Sequence, residues 1–257
     1  MTPARLLRGV VGAAGFFAVG ELVIRFGLSR DLVFPPPSAI LYEAMLLLAD
    51  GDFLLGALTT LTNWAIGLLI AVVVAVPAGV LLGALTPMER AVRPLLEFLR
   101  PIPSVAIIPL AILLIPVDEL MKVSVIVYAS VWPILINTLY GMHDVDPLAK
   151  ESLRSFGFGR LAVLGRVSLP SAAPFVATGI RIAAGIALII AVSAEVLAGG
   201  AAGLGVFVIQ AGSGNRTDLI MAATFWAGAF GLLANVALQA AERRLFRWHR
   251  VRTGALS

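Results

Sequence analysis

The sequence predicts an all-α membrane protein with six transmembrane helices and both termini in the cytoplasm. Three observations predict it: 60% of the 257 residues are hydrophobic and only 13% are charged, the mean hydropathy is +0.98, and six apolar stretches are each long enough to cross a bilayer. Soluble chains are about 45–50% apolar and about 25% charged, so this chain lacks the polar surface to cover itself in water. The absence of cysteine excludes a disulfide-stapled secreted module. The 19 Lys and Arg against 15 Asp and Glu are scattered between apolar runs and form no continuous basic face, which excludes nucleic acid as the expected partner.

A hydrocarbon core about 30 Å thick takes roughly 20 residues of helix. The stretches that satisfy it are 7–26, 56–85, 94–115, 119–140, 172–198 and 217–241, within a single domain of residues 1–257. In the first, Arg5 and Arg8 precede an apolar run as in a secretory signal. That run is longer than a signal core and is closed by Glu21 and Arg25 in place of a small-residue cleavage site, so a span is the better reading. The second stretch exceeds what a bilayer needs and is expected to tilt or project.

Orientation follows from basic residues, which are retained on the cytoplasmic side. With the N-terminus inside, thirteen fall inside: Arg5, Arg8, Arg90, Arg93, Lys150, Arg154, Arg160, Arg166, Arg243, Arg244, Arg247, Arg250 and Arg252. Only Arg25, Arg30, Lys122 and Arg216 fall outside, with Arg100 and Arg181 near span ends. The basic C-terminus with Trp248 reads as a juxtamembrane anchor on acidic lipid.

The longest cytoplasmic connection, 141–171, is too polar for membrane and too regular for a slack loop. Asp146-Pro147 is a helix start, an oxygen acceptor followed by a proline whose missing N–H costs nothing there. Val145, Leu148, Ala149, Leu153 and Phe156 recur at helical spacing on one side, with Lys150, Glu151 and Arg154 on the other. Gly157 is placed to end this helix, and a second short piece, 160–168, runs into Leu169-Pro170. A helix of about ten residues is not stable alone in water, so its apolar stripe requires a cover. The candidates are the chain's own cytoplasmic ends, lipid headgroups and a soluble partner.

Among charged residues near or within the spans, Glu97 has i,i+4 spacing to Arg93 and reads as a local pair. Arg100 precedes Pro101-Ile102-Pro103 and Ser104, where two prolines break the helical ladder at membrane depth. Such breaks survive where they are buried in protein or line a wet cavity. Arg100, Pro101, Pro103 and Ser104 are therefore candidates for the translocation path, and Glu195, ahead of the glycine-rich turn 199–205, for a gate or an inter-subunit hydrogen bond.

Glu151-Ser152-Leu153, three residues, Gly157, nine residues, then Val167-Ser168-Leu169-Pro170 resembles the EAA loop of permease subunits of ATP-binding-cassette importers. Both alanines of that pattern are replaced here, by Ser152 and Leu153. Phe34-Pro35-Pro36-Pro37-Ser38, the run 94–103, Ile108-Pro109-Leu110, Asn137-Thr138 and Ser193-Ala194-Glu195-Val196-Leu197 are similar to the branch importing nitrate, taurine and aliphatic sulfonates. A departure is Ile115-Pro116-Val117-Asp118-Glu119, where that branch has a glycine-containing turn.

The resemblance implies a type I importer permease in the bacterial inner membrane, working as a homodimer with two ATPase subunits and an external binding protein. It also implies that Glu151, Leu153, Arg154, Phe156, Gly157, Leu169 and Pro170 couple the spans to the ATPase, with Leu153 and Phe156 supplying the buried contact. ATP and magnesium then belong to the partner. This chain is expected to bind no cofactor and to catalyse nothing, because neither of its lysines, Lys122 and Lys150, lies in a phosphate-binding G-x-x-x-x-G-K-[ST] loop. His143 and His249 lie outside the spans and no cysteine accompanies them, so no zinc or haem site is expected. An ion-coupled carrier acting without an ATPase is the alternative. An intramembrane enzyme lacks a convergent set of reactive groups.

Overall fold

The structure, a computed structural model, describes residues 3–26 and 34–246, whose regular elements are all helical. In order they are α1 (Pro3–Phe26), α2 (Pro37–Leu47), α3 (Gly51–Ala84), α4 (Thr86–Leu99), α5 (Ser104–Leu114), α6 (Asp118–His143), α7 (Pro147–Ser155), α8 (Arg160–Val163), a π turn (Leu164–Ser168), α9 (Leu169–Ala198), α10 (Leu204–Ser213) and α11 (Thr217–Leu245). Arg30 and the basic tail with Arg247, Trp248, His249, Arg250 and Arg252 lie outside the described residues.

Four helical runs are long and apolar enough to cross a membrane: α3, α6, the continuous run Arg160–Ala198 and α11. They become five when α4 and α5 are taken as one broken span. The expected first span is a helix, α1, but it is not one of the four. The expected third span, 94–115, is α4 and α5 meeting at 90°. The bend sits where Pro101 and Pro103 withhold backbone donors, and Pro103 adopts extended geometry at φ −62°, ψ 120°. The 160–168 piece and the fifth span are one helix, not two. Leu169 N–H donates to Leu164 O, five residues back, and this wider turn absorbs the missing donor of Pro170 without breaking the run. α2 and α10, of 11 and 10 residues, escaped a ruler of about 20 residues.

By its contacts the chain divides into two compact units, Met1–Thr59 with Ala201–Ala229, and Thr60–Gly200 with Phe230–Ser257. In the first, Glu21 on α1 accepts from Ser38 N–H at 3.0 Å and from Ser38 Oγ at 2.7 Å, which fixes the entry to α2 after the run of prolines. Trp226 Nε1 donates to Ala44 O at 2.7 Å. Phe53 meets Phe207 edge-to-face at 5.5 Å between ring centres.

In the second unit α6 and α9 are antiparallel. Gly141 faces Ala172 and Phe175, whereas Gly179 faces Pro133, Ile134 and Asn137. The upper part of α3 runs parallel to α6, because Gly67, Gly79 and Gly83 face Ile126, Thr138 and Met142 in turn. Each glycine lets a neighbouring backbone or side chain occupy the space a Cβ would take. Between spans in lipid there is little hydrophobic drive to associate, so this close van der Waals packing is what holds the helices together. Small residues fill the α9 face, with Ala183, Ala187, Ala191 and Ala194 buried against α6 and α5 partners including Ile108, Ile126 and Ile134.

Candidate functional site: the 141–171 segment

Asp146 and Pro147 start α7 as the sequence implies. Asp146 Oδ1 accepts from Leu148 N–H at 2.8 Å, and Pro147 occupies the first helical position. The far end is closed by two crossed bonds, from Gly157 N–H to Arg154 O at 2.9 Å and from Phe158 N–H to Leu153 O at 3.1 Å. This is a Schellman turn, and it requires the left-handed backbone that Gly157 takes at φ +84°. Beyond it, the Arg166 guanidinium lies 4.6 Å from the centre of the Phe158 ring.

The apolar stripe expected of this helix is split. Val145 is buried, and Ala149 and Leu153 are half-buried. Leu148 and Phe156 stand 69% and 82% exposed, and Leu161 just beyond is 83% exposed. Leu153 therefore spends part of its surface inside the chain, and the open apolar surface belongs to Leu148, Phe156 and Leu161. Glu151, Ser152 and Arg154 are exposed, so the first position that departs from the alanine pattern carries no internal packing. Leu169 and Pro170 are exposed beyond the π turn.

The residues named for the path lie elsewhere. Arg100 is exposed at the α4–α5 bend, next to Leu99, whose carbonyl accepts from the Tyr128 hydroxyl at 3.2 Å. Pro101 and Pro103 are exposed and Ser104 is half-buried. Glu97 and Arg93 form the local pair, at 2.9 Å. Glu195 is 1% exposed and accepts from Thr60 Oγ1 at 2.8 and 2.9 Å. Arg181 reaches Glu242, at 3.5 Å.

Two features escaped the sequence. Lys122, counted with the external basic residues, is 1% exposed, with its Nζ 2.7 Å from Asp118 Oδ2. Thr60 supplies the donor to Glu195. The i,i+4 spacing of Asp118 and Lys122 at the start of a span is the signal that marks the first, whereas a lone threonine in an apolar run marks nothing. Among the described residues no three His, Asp or Glu side chains converge as a metal site.

Residues 75–251 match the family described as "Binding-protein-dependent transport system inner membrane component". The chain is 30% identical to the taurine transport system permease protein TauC of Escherichia coli (strain K12), over 86% of this chain and 82% of that one. It is 29% identical to the bicarbonate transport system permease protein CmpB of Synechocystis sp., over 89% of this chain and 84% of that one. A crystal structure of a bacterial alginate ABC transporter in complex with an alginate pentasaccharide-bound periplasmic protein contains a chain of similar fold. The TM-score is 0.67 at 16% identity, covering 94% of this chain and 93% of the other.

Proposed function

Because the chain belongs to the family of inner-membrane components of binding-protein-dependent transport systems, we propose that its 141–171 segment is the lever through which a partner ATPase moves the spans. The chain is a multi-pass permease component of the inner membrane, and ATP is hydrolysed by the partner ATPase. A binding protein outside and the ATPase inside are its partners.

The observation that carries the coupling reading is the uncovered apolar surface of α7. Leu148 and Phe156 project from a helix pinned at both ends by Asp146 and Gly157. A nine-residue helix keeps such residues in water only where something covers them in the working assembly. Docked there, Glu151 and Arg154 supply polar contacts. The unbroken run from Arg160 to Ala198 passes a push on the segment directly into a span packed along α6, as a rigid element does.

Six spans, cytoplasmic termini and a homodimer complete the reading. Neither the chain nor a second copy of it holds a cofactor, and ATP and magnesium stay on the ATPase. The solute is a small anion or zwitterion of the kind named for the relatives, such as taurine, another aliphatic sulfonate, nitrate or bicarbonate. Arg100, Pro101, Pro103, Ser104 and Glu195 line or gate its path.

Reconstituted complex carrying Gly157→Asp tests the coupling. The substitution puts a Cβ on a left-handed backbone and a charge at the docking end of α7. The protein is expected in the membrane, with ATP hydrolysis no longer driving uptake. Normal uptake with normal solute-stimulated hydrolysis contradicts the reading, as does uptake by the lone chain under an ion gradient.

A further inference from the structure

A cavity of about 930 Å³ lies between the last turn of α3 and the 141–171 segment. Lys150, Arg154 and Arg160 all line it, and no carboxylate does. None of the three forms an ion pair among the described residues. The nearest bond is from Lys150 Nζ to Met142 O, at the long distance of 3.5 Å. The remaining lining is mostly apolar, with Thr86 and Ser168 as its polar exceptions, and Leu81 and Leu85 at the end of α3 and Leu161 beyond α7 are all exposed.

We propose that this recess binds the phosphate of an acidic phospholipid, with Lys150, Arg154 and Arg160 around the headgroup and an acyl chain along Leu81, Leu85 and Leu161. Three cations lining one recess repel each other, and an anion among them relieves that repulsion. A bare anion satisfies the charge but not the apolar wall. The cavity has room for roughly thirty waters at about 30 Å³ each, far more than one phosphate fills.

The side of the membrane agrees with this occupant. α3 is long enough to span the membrane and ends at Ala84, and the recess forms around that end, which the basic-residue count assigns to the cytoplasmic side. Basic pockets between spans on the cytoplasmic side recognise acidic headgroups. Leu148 and Phe156, assigned above to the ATPase, are not among its walls. Arg154 and Leu161 do line it, so the proposal takes these two for the lipid and leaves Leu148, Glu151 and Phe156 to the ATPase, and it rests on the cytoplasmic placement of the 141–171 segment.

The test uses the complex of permease and ATPase, purified in mild detergent and reconstituted in phosphatidylcholine with and without phosphatidylglycerol. Native mass spectrometry reads retained lipid, and thermal unfolding reads protection. The wild type should retain phosphatidylglycerol and be stabilised by it. Lys150→Gln/Arg160→Gln should bind it about thirtyfold more weakly, from the loss of two charges near the surface. Arg90→Gln/Arg93→Gln removes the same charge from α4, away from the walls of the recess, and should change little.

Equal retention by the first double variant and the wild type overturns the proposal. So does equal protection by inorganic phosphate, which makes the site one for a free anion. If the wild-type complex retains no lipid and the first double variant sheds the ATPase, the recess takes an acidic group of that protein. If the lipid effect is absent while the ATPase stays bound and drives uptake, the lipid proposal fails alone.

Discussion

Replacing Thr60 by valine keeps the shape of the side chain and removes the hydroxyl that donates to Glu195. A typical intramolecular hydrogen bond contributes about 0.5–1.5 kcal/mol, and Glu195 is 1% exposed. Thr60→Val should therefore lower the unfolding midpoint of the purified chain, whereas Thr60→Ser should recover most of it. An unchanged midpoint in the valine variant would remove the bond from the account. At Gly157 the constraint is the backbone, since a Cβ there meets no atom within 4 Å. Gly157→Ala should cost about 1–2 kcal/mol through the left-handed φ, and Gly157→Asn less, because asparagine tolerates that region. Equal costs for the two, measured by thermal unfolding, would mean that the Schellman turn does not form.

Close approach of helices makes a different demand on glycine. A Cβ on Gly79 would stand 2.7 Å from Thr138 Cβ and 3.2 Å from the Leu135 carbonyl oxygen, so α3 or α6 must shift to admit it. Gly185, exposed on α9, meets nothing within 4 Å. Gly79→Ala should destabilise the chain, and Gly185→Ala should stabilise it by about 0.5–1 kcal/mol through lost backbone freedom. The same sign for both in a thermal scan would rule out the close approach of α3 and α6 at Gly79. The helical elements were legible because length, apolarity and capping chemistry act locally. Asp146, Pro147 and Gly157 bound α7 by rules confined to a few neighbouring residues. The 90° bend was legible as a break at Pro101 and Pro103 but not as an angle, which packing sets. The continuous helix through Pro170 was not legible, because a proline ordinarily interrupts a helix and nothing in the sequence marks the wider turn that accommodates it.

Across the whole molecule, the segment was readable from spacing and charge, while its split apolar face was not. Whether Leu153 turns inward and Leu148 outward depends on contacts between elements far apart in sequence. The same holds for Lys122, whose burial follows from how α6 and the turn at Gly200 meet: a Cβ on Gly200 would fall on its Nζ and on the Asp118 carboxylate. Coupling by an external motor requires the α7 surface to be inside the cell and covered in the assembled importer. The chain has no cysteine, so Phe156→Cys creates a single thiol at an 82% exposed position. Its reaction rate with a membrane-impermeant maleimide is the most direct measurement. Labelling in inside-out vesicles stripped of ATPase, none in intact cells, and protection when the ATPase is added back are expected; labelling from outside the cell, or an unchanged rate with the ATPase bound, would contradict the account.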